Sequence, residues 1–284
     1  MKFSFTNRPG APTEAVPGGV YLCQVDATVS CGACCGLYNV ADASRPTIEA
    51  MLRRRTEGLR HVAREMDAIL DFGRRTAERD GHPRPYPDFH HCPYLGLIDG
   101  GRRVGCLLHP LADGNRGVDW RGLSEYGGMA CRIYFCPATR RLPGRYKRLL
   151  RIVLEDWYVY GLVATERHLV GALLAMVEDR LGRRIDPQTV RLRPDRQAAL
   201  AALLHLKLDW SYRDPHRGHL CHPLFEDDPE ARPPVPGLRD SDRERRYGIV
   251  LRQLESVFAG PQALADAAGE IDRRLSAALR ALSE

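Results

Sequence analysis

Nine cysteines occur in the 284-residue chain, and eight of them stand in its first half: Cys23, Cys31, Cys34, Cys35, Cys92, Cys106, Cys131 and Cys136. Cys31, Cys34 and Cys35 occupy positions i, i+3 and i+4, so on one helical turn their thiols share a face. Metal binding needs such convergence, because a tetrahedral ion or a cubane cluster takes several thiolates around one centre. Gly32 and Gly36 allow tight turns and a close approach of backbone amides to a negatively charged sulfur site. Thiolate-only sites suit zinc and iron–sulfur clusters alike. Eight cysteines can serve two four-ligand sites, or one site with spare thiols. The adjacent pair Cys34-Cys35 favours a polynuclear 4Fe-4S cluster over a single ion.

A second constellation lies near the far end. His216, His219, Cys221 and His222 fall within seven residues, a possible second metal site or a cap over the first, set against the plainer reading of a solvated turn. His90 and His91 precede Cys92 and are candidates for supporting the ligands. Cys31-Gly32-Ala33-Cys34 also has the spacing of a redox dithiol, but Cys35 and the lack of a following parallel strand count against it. No Walker loop, GxGxxG, GxSxG or HExxH motif occurs.

The elements that must carry these residues read as mainly α. A strand-like stretch covers 20–25, and a long helix is expected over about 46–78, with Pro46 in its first turn and apolar residues at three- and four-residue spacing. Tyr94–Ile98 and Val104–Leu108 flank Asp99-Gly100-Gly101 and predict a β-hairpin that brings Cys106 beside Cys92. The stretch 113–128 reads as a surface loop. Beyond Pro143-Gly144 the composition turns to leucine, alanine and arginine, with helices expected near 145–160, 164–181, 195–210, 241–258 and 261–282. The expected organisation is an irregular, metal-stapled cysteine domain over 20–143 and a helical domain over 144–284.

Four blocks in order resemble the bacterial YkgJ-like cysteine-cluster family, whose signature is Cys-x2-Cys-x2-Cys-Cys. They are Cys31-Gly32-Ala33-Cys34-Cys35, Cys92-Pro93-Tyr94-Leu95, Gly105-Cys106-Leu107-Leu108 and Ala130-Cys131-Arg132-Ile133-Tyr134-Phe135-Cys136. The resemblance covers about residues 20–140 and implies zinc or iron chelation by those cysteines. The chain departs from the pattern where Cys23 lies eight positions before Cys31 instead of three, and where the stretch 111–130 is inserted before Cys131. Flagellin lysine N-methylases carry a similar cluster, so the resemblance also admits an iron–sulfur-dependent protein- or peptide-modifying enzyme with its substrate groove in the helical half. A third reading is structural zinc beside a helical partner-binding module.

Composition narrows the setting. With 44% hydrophobic and 27% charged residues the chain is an ordinary globular one. The net charge of +6 and pI near 8.9 come almost wholly from arginine, since the lysines are Lys2, Lys147 and Lys207. The arginines are interspersed with acids and form no basic patch with aromatics, which argues against nucleic acid as a partner. The start of the sequence has no apolar run of signal-peptide kind, and no run approaches the ~20 residues of a membrane span. The expectation is a cytoplasmic protein, where thiols stay reduced and clustered cysteines mean metal or redox chemistry.

Overall fold

A computed structural model describes residues 16, 19–80, 83–216, 235 and 242–284. It is mainly helical, with one two-stranded antiparallel hairpin among the described residues, as the pattern of the sequence predicts. The hairpin joins β1 (Leu95–Ile98) to β2 (Arg103–Cys106) in the register Leu95↔Cys106 and Ile98↔Arg103. Its tip needs left-handed backbone at Asp99, Gly100 and Gly101, with φ of 53°, 69° and 87°, which two glycines and an aspartate accept readily.

The helix expected over 46–78 is two helices, α1 (Arg45–Arg60) and α2 (Met66–Asp80). Neither proline nor glycine breaks it. The Arg64 guanidinium donates to the carbonyls of Leu59 and Val62 at 2.7 and 2.8 Å, and to Asn115 Oδ1 at 2.8 Å and the Asp113 carbonyl at 3.1 Å. The Leu59 carbonyl also accepts the Val62 N–H at 3.1 Å, a turn that ends the helix and that the charged side chain braces. Both helices lay their apolar faces, including Ile48, Leu52, Leu59, Ile69 and Phe72, onto the hairpin residues Leu95, Leu97 and Val104.

The expected strand at 20–25 is a loop closed by a single bridge between Gln24 and Ser30. Past α3 (Gly127–Ile133) and α4 (Pro137–Arg141) the chain runs through α5 (Gly144–Val153) and α6 (Trp157–Ala164). The break between α5 and α6 comes at Asp156, whose carboxylate accepts the Tyr158 and Val159 N–H groups as an N-cap. Next come α7 (Arg167–Leu181), α8 (Pro187–Arg191), α9 (Pro194–Leu204), α10 (Leu206–Asp209), α11 (Asp242–Gln253) and α12 (Pro261–Ser283). These pack round a core in which Leu169, Val170, Leu173, Leu174 and Val177 of α7 face Leu264, Ile271 and Leu275 of α12. Among the described residues no helix is long and apolar enough to cross a membrane.

Two hydrophobic cores result, and the chain crosses between them. Leu22, Val25 and Val29 from the beginning join the helical core, while Trp157, Tyr158 and Leu162 of α6 join the core beneath α1 and the hairpin. Within each core, polar ties join the early and late parts of the sequence: Tyr38 donates to the Tyr158 carbonyl at 2.9 Å, Tyr158 to the Ala43 carbonyl at 2.8 Å and Tyr160 to the Leu22 carbonyl at 3.0 Å.

One buried charge group anchors the cysteine-bearing half. Arg55 is fully buried on α1 and donates to Asp80 at 2.9 Å, to the Cys92 carbonyl at 3.1 Å and to His91 Nε2 at 2.7 Å. Burial alone would raise the Asp80 carboxyl, but hydrogen bonds from Arg79, Arg55 and Arg54 hold it well below the ordinary carboxylate range. A depressed carboxyl stabilises the fold above its unfolded value of ~3.9, and that stabilisation is lost as pH falls through the folded value. Asp80→Asn is therefore expected to lower stability at pH 7 by about 3 kcal/mol, as breaking a buried ion pair does. Its urea midpoint should then vary less than that of the parent chain between pH 5 and pH 3. Equal acid sensitivity in the two proteins would rule out this role for Asp80.

Candidate metal centre

Cys23 and Cys31 sit at the two ends of a tight loop. Asp26 Oδ1 accepts the N–H groups of Thr28 and Val29, both at 2.8 Å, and turns the chain so that the Cys31 N–H meets the Cys23 carbonyl at 2.7 Å. The eight-residue spacing that departs from the family pattern therefore still sets the two residues side by side. Asp26-x-Thr28 between Val25 and Val29 was the signal for this turn.

A short 3-10 turn, Ala33–Cys35, follows and ends at Gly36 with φ 78°. At three residues per turn, Cys34 and Cys35 leave it about 120° apart. The expectation of a helical turn with all three thiols on one face is thereby corrected: the turn is 3-10, it begins after Cys31, and Cys34 and Cys35 do not share a face. The Cys35 carbonyl instead accepts the Cys92 N–H at 2.9 Å. A side chain at Gly36 would have no room, since a Cβ there would lie 1.8 Å from the His90 carbonyl oxygen. His91 closes the junction: its Nδ1–H donates to the Gly36 carbonyl at 2.7 Å and its Nε2 accepts from Arg55. Burial first, and then the Arg55 charge, push His91 down to about 4, which keeps it neutral in this role.

The hairpin register and a Leu107 N–H to Tyr94 carbonyl bond of 2.9 Å bring Cys106 next to Cys92. The stretch expected to be a surface loop is tied down. Buried Asn115 donates to the carbonyls of Leu107 and His109, both at 2.8 Å, and the Trp120 N–H reaches the Leu108 carbonyl at 3.1 Å. This folding back sets Cys131 within 3.3 Å of Ser124 Oγ, whose own hydroxyl donates to the Arg121 carbonyl, so the thiol is the donor. Cys136 stands at the position just before α4 and its sulfur lies 3.5 Å from Thr139 Oγ1, and edge-to-face packing of Tyr21 on Phe135 brings the Cys23 segment towards it.

All eight thiols are free, and Cys131 is the exposed member; Cys92 and Cys136 are buried and the rest half-buried. Burial is the leading influence on most of them. It pushes Cys106 up to about 11 and Cys92 to about 12, and raises Cys23, Cys31 and Cys136 too. The interaction between the two neighbouring thiols lowers Cys34 and raises Cys35. Positive charge stands nearby: Arg121 faces Cys106 and Cys131, Arg55 faces Cys92, and buried Lys147 faces Cys136.

The donor chemistry fits a thiophilic ion or cluster, since buried thiols give up their protons to a strong cation and to little else. Among the described residues, no three His, Cys, Asp or Glu side chains are already disposed to hold an ion. Of the other candidates, His216 is exposed, with its N–H bonded to Asp214 at 2.9 Å. His219, Cys221 and His222 lie outside the described residues. Comparison with family models, with curated proteins and with solved structures finds no match to this chain.

Proposed function

We propose that this protein binds metal, holding an iron–sulfur cluster of the 4Fe-4S type or zinc through its clustered cysteine thiolates. The observation that supports this reading is a set of eight free thiols, seven of them buried or half-buried, in which backbone hydrogen bonds and the hairpin register set Cys23 beside Cys31, Cys35 beside Cys92 and Cys92 beside Cys106. Burying so many thiols gives little packing advantage over alanine or valine, whereas four thiolates on one ion or cubane yield a strong site. In this reading the chain's own part is to fix the sulfur positions, exclude water and offset the charge with Arg55, Arg121 and Lys147. The bound group supplies Lewis-acid or electron-carrying capacity, according to which metal it is.

Purification under strict exclusion of oxygen, followed by absorption spectroscopy and analysis for iron, sulfide and zinc, tests the proposal. A brown protein with iron and sulfide supports the cluster, and a colourless one with stoichiometric zinc supports the ion. Replacing Cys34 and Cys35 together by serine should reduce the bound metal by at least half. A chain that holds none of these metals, as purified or after reconstitution, would overturn the reading.

A further inference from the structure

We propose that the thiols form two sites: Cys23, Cys31, Cys34 and Cys136 hold one centre, and Cys35, Cys92, Cys106 and Cys131 hold a second. The inference rests on the metal-binding reading above and adds the number of centres and the ligands of each. Coordination chemistry motivates it. A tetrahedral zinc takes four thiolates and a 4Fe-4S cubane takes four, so a single centre would leave four thiols of this region without a ligand role.

Backbone geometry separates five of the eight. The Cys31-to-Cys23 hydrogen bond builds one pair, and the Cys92-to-Cys35 hydrogen bond with the hairpin register sets Cys35, Cys92 and Cys106 together. Packing separates Cys136 from Cys92, Cys35 and Cys106 in the same sense. Cys136 belongs to the helical core with Leu22, Val25 and Val29, while Cys92 lies in the core under α1, with Cys35 and Cys106 packed against it. Cys31 touches both cores, at the point where the chain passes from one to the other.

Electrostatics agrees with this division. Cys23, Cys31, Cys34 and Cys136 each lie within reach of the charge of the other three. Cys35 senses its neighbour Cys34 across the division as well as Cys92 and Cys106, and both of the latter sense Cys131. The groups meet at Cys34 and Cys35, whose side chains leave the 3-10 turn about 120° apart. Each group also has its own counter-charge, Lys147 beside the first and Arg55 with Arg121 beside the second.

The test is native mass spectrometry of the full chain, loaded without oxygen with zinc alone and, separately, with ferrous iron and sulfide. Two zinc ions or two 4Fe-4S clusters per chain are expected. Replacing Cys31 and Cys136 by serine should leave one of the two, and so should replacing Cys92 and Cys106. Alkylation of the loaded, unsubstituted chain gives a readout that does not depend on any variant folding: the eight thiols should all be protected, against four for a single centre. One centre per chain, or loss of both centres from a substitution in one group, would overturn the two-site division while leaving metal binding intact. No bound metal under either condition would overturn both.

Discussion

Loading the metal-free chain with zinc is expected to raise its melting temperature by about 8–16 °C for each centre filled, and a chelator should reverse the rise. The size follows from mass action. A ligand that binds the folded chain alone, at a thousand times its dissociation constant, stabilises by about 4.1 kcal/mol. In a protein of this size each kcal/mol moves the midpoint by roughly 2–4 °C. The effect is smaller than the all-or-none folding of a zinc finger, because here two hydrophobic cores exist beside the thiols. Binding should also release protons, since the raised thiols must give them up, and so it should strengthen as pH rises from 6 to 8. Scanning calorimetry with and without zinc at those pH values measures both effects. A melting temperature that zinc leaves in place would separate the thiols from the stability of the fold.

Gly36→Ala is the single substitution expected to do most damage. Its φ of 78° costs a non-glycine residue about 1 kcal/mol or more. The larger cost is steric, because the added carbon would sit 1.8 Å from the His90 carbonyl oxygen. The chain can relieve that overlap only by parting the 33–36 turn from the 90–92 segment. Doing so sacrifices the Cys92-to-Cys35 bond of 2.9 Å and the His91-to-Gly36 bond of 2.7 Å. A loss of about 3 kcal/mol or more is expected from the strain and overpacking together, along with loss of metal at the Cys35 and Cys92 side. Gly100→Ala provides the control, since it has a similar φ of 69° and open space around it. Urea unfolding of the two variants should separate them by about 2 kcal/mol. Equal losses would mean that the close approach at Gly36 carries no weight.

Much of this architecture is legible in the residues. The hairpin announces itself through Asp99-Gly100-Gly101, and α7 and α12 through their apolar spacing, because in these cases the information is local. The break at residues 61–65 is hidden because Arg64 acts through Asn115 and Asp113, partners that sequence spacing does not reveal. The same holds for the thiols. That Cys31, Cys34 and Cys35 lie close together follows from their spacing, but their division does not. It depends on a 3-10 turn instead of an α-helical one and on His90 abutting Gly36. The place of Cys23 beside Cys31 rests on the small turn that Asp26 organises, which an eight-residue spacing alone does not reveal.

The passage of the chain between the two cores has a consequence for biosynthesis. A nascent chain leaves the ribosome from its beginning onward. The core that covers Cys35, Cys92 and Cys106 lacks Trp157, Tyr158 and Leu162 until α6 has emerged, and the core around Cys136 waits longer still, for α7 and α12. The thiols are therefore made first and sheltered last. Until α6, α7 and α12 have been made, neither core is complete around them, so for that interval the fold gives them no full shelter from oxidants or stray metal.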